Sequence, residues 1–184
     1  LSATVDRGGT GLFIIAAPGS GKTVMGIEAI RRLGREALIV VPKSDLVDQW
    51  LSRFLEHTSL RREDIAIANN GGITDNWGTA KVVIGIVHTL ALDRFGEAFK
   101  RKFGVVVFDE ADSSVPPTTF SCVPGLFPAK YRIGMTATRY RSDGLHTVFE
   151  QHIAQTVLTC QSNMVMKPRV IQIEYPSASG FIAP

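Results

Sequence analysis

Two short stretches carry the residues best suited to chemistry: AAPGSGKT, Ala16 to Thr23, and VVVFDEAD, Val105 to Asp112. A loop of small residues lets successive backbone N–H groups turn inward, and a helix starting behind it aims its positive end at the same point; the combination cradles phosphate. Pro18, Gly19, Ser20 and Gly21 supply that turn. Lys22 has the reach for the β- and γ-phosphates of a nucleotide, and the Thr23 hydroxyl can coordinate Mg2+. The strict phosphate-loop pattern has Gly where this chain has Ala16. The acidic stretch supplies what the cradle lacks. Asp109 is placed to hold the metal through water, and Glu110 to polarise an attacking water. Lys22, Asp109 and Glu110 are therefore the candidate catalytic residues, and Thr23 and Asp109 the candidate metal ligands. A chance glycine-rich turn and a solvated acidic loop are the bland alternatives; a strand, loop and helix in that order argue against them. The adjacent carboxylates favour hydrolysis over transfer to a small acceptor. There is no Arg-rich lid of a nucleoside-monophosphate kinase and no guanine-reading NKxD, which leaves ATP as the expected nucleotide.

These residues need elements to position them. Apolar runs of strand length recur at Leu12 to Ala17, Ala37 to Val41, Lys81 to Ile86, Val105 to Phe108 and Tyr131 to Thr136, with helical patterns between several of them. This alternation predicts an α/β fold with a mostly parallel central sheet, whose ligands bind at the carboxyl ends of the strands. The first helix is predicted from Lys22 to Leu33, with Val24, Ile27, Ile30 and the stem of Arg31 toward the sheet and Gly34 as its stop. The second starts at Ser44 as N-cap and carries Leu46, Val47, Trp50, Leu51, Phe54 and Leu55 on one face, which makes Trp50 a core residue. Ala68 to Gly78, rich in Asn and Gly, reads as an exposed turn. Lys100, Arg101 and Lys102 read as a solvated loop. Near the end, one alternating strand is predicted from Val170 to Tyr175, followed by a linker-like segment. The expected division is a domain over residues 1–165 and a terminal strand and linker over 166–184.

Composition bounds the rest. The chain has 184 residues, 45% hydrophobic and 20% charged, enough for one domain with a full core. No apolar run approaches the ~20 residues of a membrane span, and the start resembles no secretory signal. The first residue is Leu, so the sequence is expected to begin inside a longer polypeptide or after processing. An intracellular protein, cytoplasmic or nucleoid-associated, is expected. Cys122 and Cys160, without CxxC spacing, read as reduced core thiols. The net charge of +3 permits a nucleic-acid partner without demanding one.

Further blocks extend the pattern. AAPGSGKT, IVVPKSDLVDQW, FDEAD and IGMTATRYRSDG stand in the order and spacing of motifs I, Ia, II and III in the first RecA-like domain of superfamily-two helicases and translocases, which the chain resembles over most of its length. Although residues 109 to 112 spell DEAD, VPKSDL and TAT depart from the PTREL and SAT of DEAD-box RNA helicases. TATRYRSDG is more similar to the XPB-like and phage UvsW-like DNA helicases, with Arg141, Asp143 and Gly144 matching their extension and Ser142 standing where XPB proteins have an acid. Type III restriction enzyme motor subunits share much of this pattern.

The resemblance implies a RecA-like P-loop NTPase domain using ATP and Mg2+, with nucleic acid, DNA foremost, as partner. Thr136 and Thr138, at the end of a core strand, would sense the nucleotide, with Arg141 and Asp143 coupling that state to the domain interface. Pro42, Lys43, His88 and Thr89 would line the nucleic-acid track. A second RecA-like domain would supply arginine fingers, and this chain by itself is expected to hydrolyse ATP slowly. A stand-alone P-loop kinase or switch, and a non-catalytic module retaining the fold, are the rival expectations.

Overall fold

Strands whose residues are apolar on both sides need two covered faces, and the structure supplies them. A computed structural model describes residues 10–111, 123–137, 152–154 and 156–160. Its strands are β1 (Gly11–Ala16), β2 (Ala37–Val41), β3 (Ile65–Asn69), β4 (Gly72–Ile73), β5 (Val82–Ile86), β6 (Val105–Phe108), β7 (Tyr131–Thr136) and β8 (Val157–Cys160). They form one sheet in the order β4-β3-β5-β2-β6-β7-β1-β8. Among the described residues only the β3–β4 pair is antiparallel; the other pairs run parallel.

The helices are α1 (Lys22–Leu33), α2 (Ser44–His57), α3 (Val87–Ala91) and α4 (Glu97–Lys100). Period-two alternation divides the core between the faces. Ile39, Val107, Ile133 and Met135 pack with Ile27 and Ile30 of α1 and with Trp50 and Phe54 of α2. Leu38, Val40, Val106 and Phe108 pack on the other face with Leu90, Phe99, Phe103 and Phe127. A sheet covered on both sides in this way accounts for runs such as ALIVV, in which all five residues are buried.

The five expected strands are present, three with the expected bounds and β1 and β5 shifted by a residue at one or both ends. β3, β4 and β8 were not expected. The Asn- and Gly-rich segment expected as a turn in fact closes β3 and forms β4, with a 3-10 turn at Asp75–Gly78. In α1 the buried residues are Gly26, Ile27, Ala29 and Ile30. This rotation leaves Val24 40% exposed and turns Arg31 outward onto Glu28 at 2.6 Å, so neither faces the sheet as expected. Gly34 stops the helix in the left-handed region, its N–H bonded to the Ile30 carbonyl. The cap of α2 also differs: Lys43, extended, is the N-cap and Ser44 is already helical. Leu55 is exposed rather than on the core face. The basic cluster is tied down: Lys100 pairs with Asp93 and Glu97, and the Lys102 ammonium, nearly buried, pairs with Glu36. Cys160 is half-buried and free. Cys122, the strand predicted over 170–175 and the division at residue 166 lie outside the described residues.

Gly134 of β7 lies opposite Phe13 of β1, and a Cβ there would overlap the Phe13 ring. Gly134→Ala should lower stability by about 1–3 kcal/mol through overpacking. Thermal unfolding measures this, and an unchanged melting temperature would mean that the ring gives way freely.

Candidate active site

Because the central strands run parallel, their carboxyl ends share one edge of the sheet, and the chemistry-bearing residues follow those ends. β1 leads into the phosphate loop, β2 into Pro42 and Lys43, β5 into His88, and β6 into Asp109 and Glu110, while β7 ends on Thr136.

The loop is shaped by backbone conformation. Gly19 has φ +75° and Gly21 φ +84°, values that L side chains rarely adopt, and a Cβ on either would meet nothing within 4 Å. Glycine is therefore required for the turn and not for lack of room. Gly21 is the N-cap of α1 and provides no side-chain cap, so the first N–H groups of the helix keep their capacity for an anion. The Ser20 Oγ is buried without a hydrogen-bond partner among the described residues. A buried orphan hydroxyl is costly, and it lies in the loop where phosphate oxygens would provide acceptors. Lys22 donates to the carbonyls of Ala16 at 3.1 Å and Ala17 at 3.4 Å, so its ammonium is folded over the loop. Thr23 is half-buried in the first turn of α1.

Asp109 is the main acid of the site and is only 7% exposed. It continues the alternation of β6, so it lies on the α1/α2 face with Val107, and its N–H bonds the Val40 carbonyl of β2. Its carboxylate is held by two donors. The Trp50 indole N–H reaches Oδ2 at 2.7 Å, and the Glu110 backbone N–H reaches Oδ1 at 3.0 Å. Burial pushes the Asp109 pKa above the usual carboxylate range. The two hydrogen bonds pull it back, the Glu110 carboxylate adds to the rise, and the Lys22 ammonium opposes it. Lys22 and Asp109 thus interact across the edge of the sheet.

Glu110 sits in the left-handed region at φ +49°, and the next residue returns to the sheet through the Ala111 N–H on the Met135 carbonyl at 3.1 Å. Thr136 is buried.

The structure therefore brings together Pro18 to Thr23, Asp109, Glu110 and Thr136. Pro42 is half-buried, and Lys43 and His88 are exposed. Thr89 departs from expectation: it is buried, and its hydroxyl lies 3.3 Å from Asn70 Oδ1, because the α3 turn rotates it inward. Thr138, Arg141, Asp143 and the final Asp112 of the acidic motif lie outside the described residues. Trp50 was expected as core and is fully buried; its contact with Asp109, 59 positions away, was not anticipated.

The donor set suits Mg2+. Among the described residues no three His, Cys, Asp or Glu side chains cluster as a metal cage, and Mg2+ is typically held by one or two protein oxygens plus phosphates and water. Also among the described residues, no helix is long and apolar enough to cross a membrane.

The family described as "Type III restriction enzyme, res subunit" matches residues 1–141. The chain belongs to that family. It is 36% identical to the "Putative DNA 3'-5' helicase Rad25" of Haloarcula marismortui, a match covering 77% of this chain and 22% of the relative. It is 31% identical to the "DNA 3'-5' translocase XPB2" of Sulfurisphaera tokodaii, over 74% of this chain and 29% of the relative. The helicase domain of Pyrococcus furiosus Hef superposes with a TM-score of 0.70 at 20% identity, covering 84% of this chain and 35% of that one. The UvsW helicase of bacteriophage T4 does so at 0.69 and 17%, covering 86% and 58%. The fold and motifs are those of a first RecA-like motor domain of superfamily-two helicases. The chain spans only about a fifth to a third of the curated relatives named here.

The raised Asp109 pKa has a stability consequence. Because its folded value exceeds the unfolded one, ionisation costs stability: the cost is absent below the unfolded value, grows as pH rises to the folded value and is then constant. In metal-free buffer, the melting temperature of Asp109→Asn relative to the parent should therefore rise as pH is raised from the ordinary carboxylate range toward neutrality. Parallel pH curves would refute the burial cost.

Proposed function

We propose that this chain is the ATP-binding motor domain of an ATP-dependent DNA helicase or translocase, binding ATP with Mg2+ in the loop between β1 and α1. The observation that carries the proposal is the meeting of a phosphate loop, containing an unpartnered buried hydroxyl at Ser20, with the Asp109–Glu110 pair on one edge of a parallel sheet. Backbone N–H groups of Gly19, Gly21 and Lys22 and the Lys22 ammonium bind and orient the phosphates, while the Ser20 N–H closes the turn on the Ala17 carbonyl at 3.1 Å. Thr23 and Asp109 would hold Mg2+, which when bound neutralises charge on the β- and γ-phosphates. Glu110 accepts a proton from the lytic water and aligns it. Thr136, buried at the end of β7, is suited to report nucleotide state, with Thr138, Arg141 and Asp143 further along the same segment.

Exposed Lys43, with Pro42 and His88, offers positive charge and N–H groups at the same edge, suited to the phosphates of a strand without reading its bases. A second RecA-like domain, which the partial coverage of the relatives supports, would supply the arginine finger worth about 10³–10⁵ in rate. Residues 1–165 form the motor domain in this proposal, and 166–184 lead toward the second. The family match favours one variant, the motor subunit of a restriction enzyme, with the same site and the same track.

Steady-state ATPase of the full-length protein, with and without single- and double-stranded DNA and RNA at fixed salt, tests this. Stimulation by DNA is expected; strong turnover indifferent to every polymer would favour a stand-alone P-loop enzyme. Lys22→Ala should abolish turnover, and Glu110→Gln should retain nucleotide while stopping hydrolysis; a normal rate in Glu110→Gln would remove it as the base. Lys43→Ala should weaken binding equally across DNA sequences and lower the salt slope by about 1. An unchanged slope would take Lys43 off the track.

A further inference from the structure

A large aromatic residue in a core normally needs only packing, yet the indole of Trp50 is aimed at the acid of the active site. Trp50 is wholly buried, and its Nε1 lies 2.7 Å from Asp109 Oδ2. An indole N–H only donates, so the contact requires Asp109 to present an acceptor at that oxygen. The other oxygen is bound by the Glu110 N–H at 3.0 Å. Two donors from different elements, one on α2 and one just past β6, thus fix the rotation of the carboxylate and leave its remaining lone pairs in set directions.

The indole is itself locked. Its ring tilts against Phe54 at 5.7 Å between centroids. At the tip of the ring lies Gly26 of α1, where a Cβ would come within 2.8 Å of Trp50 Cη2 and 3.0 Å of Met135 Sδ. The slot for the ring therefore exists because α1 carries no side chain at that turn. Gly26, Trp50 and Asp109 form a continuous line from the helix behind the phosphate loop to the acid.

We propose that Trp50 is the positioning residue for Asp109, holding its carboxylate in the orientation that receives the divalent ion. This rests on the nucleotide-site proposal above. Outer partners that orient a metal-holding carboxylate typically contribute 10- to 100-fold in metal affinity.

The test is equilibrium binding of a fluorescent ADP to the full-length protein as Mg2+ is varied, with EDTA samples as the metal-free reference. Trp50→Phe keeps an aromatic ring and removes the N–H. It should bind the nucleotide as the parent does in EDTA, while the Mg2+ concentration needed to tighten binding rises about 10- to 100-fold. Phe103→Leu, which softens the core on the opposite face of the sheet, should lower the melting temperature and leave the Mg2+ requirement unchanged. An unchanged requirement in Trp50→Phe, or an equal rise in Phe103→Leu, would overturn the positioning role.

A second measurement reads the bond itself. The indole N–H resonance of Trp50 is identified in the full-length protein as the one that Trp50→Phe removes, and it should move when Mg2+ and ADP are added together and not when ADP is added with EDTA. A resonance indifferent to Mg2+ would overturn the proposal. If the parent protein shows no Mg2+-dependent nucleotide binding, the nucleotide site fails and this role fails with it. If it does show such binding and Trp50→Phe matches it, only the role of Trp50 fails.

Discussion

Parallel pairing through the centre of the sheet is the constraint on which everything else depends. Val40 of β2 is in register with Phe108 of β6, and Phe108 with Gly134 of β7, while Ile15 of β1 is in register with Thr136. These pairings bring four loops to a common edge, although their residues are separated by most of the chain. A slip of one residue in β6 would turn Asp109 to the opposite face and exchange it with Glu110. The apolar faces on both sides of the sheet oppose such a slip, so the burial that stabilises the fold also sets the position of the acid.

That position is costly. Asp109 is held where burial disfavours its charge, and Glu110 next to it occupies a left-handed conformation that carries about 1–3 kcal/mol in a non-glycine residue. The surroundings over-determine both: β2 receives the N–H of Asp109, β7 receives that of Ala111, and Trp50 holds a carboxylate oxygen. The remainder of the core, packed on both faces, supports this local strain.

The sequence was most legible where one signal was strong and local. The phosphate loop, the span of α1 and the strands at the centre of the sheet follow from glycine placement and uninterrupted apolar runs. It was less legible at the margins. β3 alternates its isoleucines with Ala66 and Ala68 and runs into an Asn-Gly tract, so its apolar signal is thin, and β8 is exposed at Leu158 and Thr159. Helix rotation misled for Val24 and Arg31, because two of the four inward positions in α1 are filled by Gly26 and Ala29, and the stripe could be drawn through larger neighbours instead. The role of Trp50 was hidden for another reason. Apolar periodicity announces that a residue is buried, but cannot say that its one polar atom meets a carboxylate 59 positions away.

The short strand β4 has a consequence beyond the site. A parallel sheet with strands this apolar exposes unpaired backbone at its margin, which is a template for strands of other molecules. Here the margin beyond β3 is occupied by two residues that run the other way, Gly72 and Ile73. Next to them the Ile67 N–H and carbonyl bond Thr74, and the Ile65 carbonyl accepts from the Asn76 amide. An added strand would have to displace a paired turn before it met free backbone on that margin.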